Sequence, residues 1–231
     1  MIQILQFHRS LYLATAMGIA LVLLLAVQVP WIAIAALPAA FWFVSSLAVS
    51  WYVYDASPLS RYDWLAPRMR RHPMRWINLH AGLDQASMAL QRLFPASDGR
   101  SFDIFDPLEM RAASILEARR VVGATDSSGE QWRALPPQDV VFLVFTAHEL
   151  RRFEARVRLF RAASEVLAPG GDIAVVEHVR DGLNFLAFGP GFWHFLPAHA
   201  WRKMAAAAGL RIREEFSVTP FVRVFLMERA I

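Results

Sequence analysis

The stretch Val166-Leu-Ala-Pro-Gly-Gly-Asp-Ile-Ala-Val-Val-Glu177 decides the fold class. The amphipathic pattern of Leu150 to Leu167, with arginines on its wet side, predicts a helix that ends here. Pro169-Gly170-Gly171 predicts a turn, and the β-branched run Ile173 to Val176 predicts a strand that stops at Glu177 and His178. Helix, turn and strand in that order form the repeating unit of a parallel α/β sheet. Ligands of such sheets bind outside the carboxyl ends of the strands, so Glu177 and His178 are candidate site residues.

The flanking sequence extends the alternation. Trp76 to His80 predicts a short strand, followed by Ala81-Gly82-Leu83-Asp84 and a helix from about Gln85 to Leu93. Ser97-Asp98-Gly99 predicts a turn, and Phe102 to Asp106 a second strand ending in an acid. Met110 to Arg120 predicts a helix. Gly123 to Pro137 is loop-like, with at most one weak strand near Ala124. Val140 to Phe145 is continuously apolar, as a central parallel strand buried on both faces is. It leads into Thr146-Ala147-His148-Glu149. Trp201 to Ala208 predicts a helix capped by Gly209. Strands near Arg211–Val218 and Phe221–Met227 predict a terminal antiparallel pair around Thr219-Pro220.

The N-terminal part is different. Of the 231 residues 56% are apolar, above the about 45–50% usual for a soluble domain. The excess is concentrated between Ser10 and Tyr54, where no charged residue occurs. Leu11 to Val29 and Trp31 to Tyr54 each match the about 20 residues needed to cross a bilayer, and Gln28-Val29-Pro30 separates them. The expectation is a two-helix transmembrane hairpin over residues 1–56, an interfacial linker over 57–75 and the α/β domain over 76–231. A signal peptide or a buried helical hairpin is the alternative. Arg61, Arg68, Arg70, Arg71 and Arg75 follow the second run, and Arg9 precedes the first. The positive-inside rule then places both termini and the domain on the cytoplasmic side of an inner membrane, with Trp51, Tyr52, Tyr54 and Trp64 at the interface.

The absence of cysteine excludes disulfides, thiolate catalysis and cysteine-ligated metal. A net charge of +4, without a basic helix carrying interleaved aromatics, suits an anionic lipid surface better than a nucleic-acid groove. Oligomeric state is not legible.

The order of parts resembles the class I S-adenosylmethionine (SAM) dependent methyltransferases: a glycine turn after the first strand, an acid after the second, an apolar central strand, Pro-Gly-Gly before the next, and a terminal antiparallel pair. More closely, the chain resembles a family of small, membrane-anchored bacterial methyltransferase-like proteins. That resemblance rests on Tyr52-Val-Tyr-Asp55, Trp64-Leu65, Asn78-Leu-His-Ala-Gly-Leu-Asp84, Asp106-Pro107, Ala147-His-Glu-Leu-Arg151, Glu177-His178 with Arg180-Asp181, and Asn184-Phe185 leading to His194-Phe195. It implies a Rossmann-like sheet with helices on both faces and SAM as cofactor. His80, Ala81, Gly82, Asp84 and Asp106 would hold SAM, with Glu130 and Trp132 near the adenine.

Each of these residues also has a plain structural reading. The usual SAM loop carries three small residues as G-x-G-x-G, and here only Ala81 and Gly82 are small. The loop is therefore either a family-specific SAM site or a degenerate one. Asp106 suits a ribose acid or an N-cap helped by Pro107, and Trp132 suits ring stacking or packing. His148, Glu149 and His178 are candidate catalytic groups, because methyl transfer needs alignment and often a base. The same His148 and Glu149 suit helix caps, and Glu177 suits an ion pair with Arg180 or Arg151. The His-Glu-Leu-Arg run lacks the second histidine of the zinc helix, and no metal is expected.

Residues 184–195 are aromatic and glycine-punctuated, and fit a substrate lid, a bilayer contact or a packing insertion. With Glu177, the residues Asn184, Phe188 and His194 are the candidate substrate contacts. The expected function is SAM-dependent methyl transfer to a small, lipophilic or membrane-associated acceptor at the cytoplasmic membrane face. The alternative is a non-catalytic SAM-fold membrane protein acting as a binding or assembly partner.

Overall fold

The computed structural model describes residues 9–124 and 129–230. Among them six strands form one sheet: β1 (Arg75–His80), β2 (Asp98–Asp103), β3 (Gln138–Val144), β4 (Leu167–His178), β5 (Leu210–Thr219) and β6 (Val222–Arg229). Their order is β2-β1-β3-β4-β6-β5. The first four in space run parallel, and β6 and β5 pair antiparallel with what precedes them. The helices are α1 (Arg9–Ala26), α2 (Ala33–Trp51), α3 (Ser87–Leu93), α4 (Ala113–Val122), α5 (Phe153–Glu165), α6 (Gly182–Phe188) and α7 (Ala198–Ala207).

Successive strand residues point to opposite faces, so each central strand feeds two cores. Ile77, Leu79, Val141, Leu143, Ile173 and Val175 pack against Phe160 of α5 and Trp201 and Met204 of α7. Trp76, Val140, Phe142, Ala174 and Val176 pack on the other side with Leu90, Phe94, Val53, Leu59, Tyr62 and Leu65. The stretch expected as an interfacial linker therefore supplies three buried residues to the second core, at positions 59, 62 and 65.

Two elements differ from the sequence expectation. Pro169-Gly170-Gly171 does not precede the strand but lies inside it. The register runs from Gln138↔Leu167 to Val140↔Asp172, so the tripeptide is looped out as a bulge, with Gly170 at φ +74. The second strand is Asp98–Asp103, not Phe102–Asp106, and Ser97-Asp98-Gly99 leads into it rather than turning away. Its polar residues suit an edge strand, which pairs on one side only. Trp76 packs across Gly99, where an added Cβ would lie 2.1 Å from the indole. Gly99→Ala is therefore expected to destabilise the domain by about 1–3 kcal/mol through overpacking. Denaturant unfolding at the wild-type midpoint would show that Trp76 does not hold this position.

α1 and α2 form a helical hairpin, but the expected pair of spans is reduced to one candidate. Backbone bonds from Val27 and Gln28 to Leu24 and Leu25 take the end of the first run into the turn, so the helix stops at Ala26. Among the described residues its apolar stretch is Leu13–Ala26, shorter than the about 20 residues a bilayer core requires. Pro30–Arg61 is long and apolar enough, and only 6% of its most apolar window is buried. Of the aromatics expected at an interface, Trp51 and Tyr52 are exposed. Trp64 instead packs against Tyr62 and Phe216, and Tyr54 turns into the domain.

Candidate functional site

The chain turns opposite ways from β1 to β2 and from β3 to β4, so a crevice opens between the carboxyl ends of β1 and β3, where α/β sheets bind ligands. A cavity of about 410 Å³ lies there, within the usual size of small-molecule sites. Ala81, Leu83 and Gln85 line it after β1, and Ser114, Ile115 and Ala118 from α4. Phe145, Thr146, His148, Glu149 and His178 line it from the ends of β3 and β4. Phe145 has φ +50, a conformation that costs a non-glycine residue about 1–3 kcal/mol and clusters at functional sites.

His148 sits between two carboxylates. Its Nδ1 lies 2.7 Å from Glu177 Oε2 and its Nε2 3.2 Å from Glu149 Oε1, and its backbone N–H donates to Glu177 Oε1 at 3.2 Å. Ionised carboxylates only accept, so both ring nitrogens carry protons and the ring is an imidazolium. Burial alone would lower its pKa, but the charges and hydrogen bonds of Glu177 and Glu149 outweigh it and raise it to about 10. For Glu149 burial would raise the pKa, and His148 more than reverses that. Glu149 Oε2 is buried and has no hydrogen-bond partner among the described residues, and Glu149 lines the cavity.

His178 is built differently. Its Nδ1 lies 2.9 Å from the Phe221 carbonyl, which fixes the proton on that nitrogen and leaves Nε2 to accept from the Tyr54 hydroxyl at 3.1 Å. The ring is stacked between Phe145 and Phe195 at 5.1 and 4.8 Å. Burial pushes its pKa down to about 4, so it is neutral near pH 7. The β3/β4 mouth thus holds one charged and one neutral histidine.

The loop after β1 satisfies itself. Gly82 N–H donates to His80 Nδ1 at 3.0 Å, and burial lowers the pKa of His80. Asp84 Oδ1 accepts from Asn78 Nδ2, Ala86 N and Ser87 N, and its other oxygen accepts from Ser101, so Asp84 ties the loop to the start of α3. The acid that ends β2 is Asp103, next to His80 in register, and its carboxylate pairs with Arg119 Nη1 at 2.5 Å. Arg119 also donates to the Ala81 carbonyl and fills the space beside Gly82, where a Cβ would lie 2.5 Å from it. Asp106 lies beyond the strand and accepts from Leu108 N at 2.8 Å, capping the turn Asp106–Met110. Glu130 pairs with Arg133 at the surface, and Trp132 is buried in the first core; neither lines the cavity.

Among the candidate substrate contacts, Phe188 and His194 line the cavity. Glu177 stands behind His148, and Asn184 is fully buried, bonded to Asp181 and the Phe221 carbonyl. Arg180 holds the segment by donating to the carbonyls of Phe195 and Trp193. The donor atoms of His148, Glu149 and His194 lie within 4.8 Å of one another. Arg151 donates to His194 Nδ1 at 2.8 Å, so His194 Nε2 carries the proton. Within the trio His148 donates to Glu149 at 3.2 Å, and His194 Nε2 lies 4.0 Å from the same carboxylate oxygen.

The chain shares this architecture with solved enzymes. An O-methyltransferase family 2 protein from Planctomyces limnophilus, in complex with apigenin, superposes with a TM-score of 0.54 at 15% identity, over 87% of this chain and 68% of that one. The fold is that of a class I methyltransferase. An O-methyltransferase from neocarzinostatin biosynthesis, in complex with SAM and 2-hydroxy-5-methyl naphthoic acid, matches the methyltransferase fold with a TM-score of 0.51 at 17% identity, over 86% and 58%. A mitomycin 7-O-methyltransferase gives 0.50 at 15%, over 86% and 72%. The chain spans 58–61% of the length of several such structures. No protein-family model matches it, and neither does any curated protein.

Beyond the candidates named from sequence, the cavity is lined by Leu83, Gln85, Ser114, Ile115, Ser50 and Phe145, and Tyr54, Asp103 and Arg119 hold its histidines and β1 loop. Only Asp103 carried a local signal, as the first of two acids in Asp103-Ile-Phe-Asp106.

Proposed function

We propose that the protein is a SAM-dependent methyltransferase acting on a small, lipophilic acceptor at the cytoplasmic face of a membrane. The observation that carries this reading is His148, held between Glu177 and Glu149 on the cavity wall at the strand ends of a methyltransferase fold. SAM, when bound, supplies a methyl group on a positively charged sulfur. The carboxylate of Glu149 on the cavity wall suits a cationic ligand in charge. Ala81, Leu83, Gln85, Ser114 and Ile115 would hold SAM, with Asp103 in the ribose place first expected of Asp106. His148 takes the acceptor's proton once it has released its own, and Glu177 fixes the ring and bears the returning charge. The membrane part rests on the exposed apolar span Pro30–Arg61 and the arginines that follow it.

Glu149→Gln is expected to weaken SAM binding about tenfold, the loss of one charge-assisted contact. Binding of the neutral product, S-adenosylhomocysteine, should change little. Equal loss for both ligands would remove Glu149 from the sulfonium's surroundings.

One observation favours the non-catalytic alternative: Arg119 occupies Asp103 and crowds Gly82, so a ribose must displace it. Transfer of labelled methyl from SAM to a panel of hydrophobic phenols, amines and carbon acids, using the full chain in lipid nanodiscs, separates the two. Label in the organic phase, lost in His148→Gln, supports the enzyme. Tight SAM binding with no labelled product from any acceptor class would leave the non-catalytic reading.

A further inference from the structure

The apolar helix α2 forms one wall of the cavity. Ser46 and Ser50 lie four residues apart on one face of α2, Tyr54 lies in the π-helical turn Tyr52–Ala56 that continues it, and all three line the cavity. The outward face carries Leu37, Phe41 and Val44, all more than half exposed. Ser50 is 6% exposed, and its hydroxyl has no hydrogen-bond partner among the described residues. Ser46 Oγ donates to its own helix at the Phe43 carbonyl, so it presents small volume rather than polarity. At the inner end the Tyr54 hydroxyl reaches His178.

The facing wall is Phe188, Gly191 and Phe195. It is clasped to α2: Trp42 meets Phe185 edge-on at 5.4 Å, Ser45 Oγ donates to the Leu186 carbonyl at 3.3 Å, and Gly189 lies flat against the Trp42 indole. From Tyr54 to Ser46 the slot follows about two helical turns, or about 12 Å. Beside Ser46 lie the exposed apolar face of α2 and the exposed Leu186, whose carbonyl accepts from Ser45.

We propose that this slot is a chain-binding subsite, and that the acceptor is an aromatic hydroxyl compound bearing a linear alkyl or prenyl chain. Its ring lies at the inner end among Phe145, Phe188 and Phe195, with an oxygen near Ser50 and Tyr54. Its chain runs out past Ser46 toward the bilayer. The anchoring helix thereby reads the acceptor as well as tethering the domain. This inference rests on the methyl-transfer reading only for the identity of the occupant as an acceptor.

The test uses the full chain in nanodiscs with two probes, phenol and 4-nonylphenol. Equilibrium dialysis gives the affinity ratio of the two, which should be at least about tenfold in favour of the chain-bearing probe. Ser46→Phe narrows the slot from α2. Gly191→Val narrows it from the other wall, where a Cβ meets nothing closer than 4.0 Å. Either change should collapse the ratio toward the value set by partition into empty nanodiscs. A ratio unchanged in both folded variants, or equal to the partition value in the wild type, overturns the proposal. Unfolding midpoints verify that each variant is folded, and Gly191→Val decides if Ser46→Phe is not. Failure to bind S-adenosylhomocysteine would count against the methyl-transfer reading alone, because the probe ratio does not depend on it.

Discussion

His148→Gln is expected to lower methyl-transfer turnover by about 10²–10⁴-fold, the usual worth of a positioned general base. The glutamine amide can still donate to one of the two carboxylates, so the variant should fold. The pH dependence provides the sharper signature. Burial alone would weaken the imidazole as a base, yet Glu177 and Glu149 raise it to about 10. A base must be unprotonated, so wild-type turnover should climb with pH through the neutral range toward a limb near that value. Glu177→Gln removes one of the charges that hold the proton, and should move the limb to lower pH. A turnover independent of pH from 6.5 to 10, or a limb unmoved in Glu177→Gln, would mean that His148 does not take the acceptor's proton.

Glu177→Ala should have the largest effect on stability, about 3–5 kcal/mol, the cost of removing one partner from a buried ion pair. Glu177 is 1% exposed, and its two oxygens hold the His148 ring and backbone N–H. The sign of the pH dependence follows from linkage. The folded pKa of His148 lies above its ordinary value of 6.5, so its pairing stabilises the protein fully below pH 6.5 and ceases to do so as pH rises through about 10. The stability gap between wild type and Glu177→Ala should therefore be widest below pH 6.5 and narrow toward pH 10. Urea unfolding of both proteins across that range measures it. A gap that widens with pH would contradict an imidazolium at position 148.

The parts of the fold that could be read from sequence were those with strong local periodicity. Val140 to Phe145 and Ile173 to Val176 are buried on both faces and looked so, and the amphipathic helix between them fixed their parallel pairing. β2 was read out of register because Asp98-Gly99-Arg100-Ser101 has no apolar pattern. Its strand state comes from pairing with β1, a tertiary effect that overrides propensity. With the strand placed at Asp98–Asp103, the acid at its end is Asp103 and not Asp106. The Pro-Gly-Gly segment gave the right neighbourhood and the wrong local state, since a bulge and a turn ask for the same residues.

The candidate site followed the same division. His148, Glu149, Glu177 and His178 end adjacent strands, so topology alone brought them together. Tyr54 meets His178 across 124 residues of sequence, and Arg119 meets Asp103 only because α4 packs beside the β1 loop. Trp132 illustrates the converse, since an aromatic residue near an expected adenine place looks the same in sequence whether it stacks or packs.

Titration calorimetry of the full chain in nanodiscs with SAM, and then with S-adenosylhomocysteine, measures whether the strand-end cavity holds this cofactor. One site is expected for each ligand, with SAM binding weakened selectively in Glu149→Gln. Weaker binding of both ligands is also expected in Asp103→Asn, whether or not Arg119 has first to move. The absence of heat and of competition for either ligand at millimolar concentration would contradict a cofactor site there.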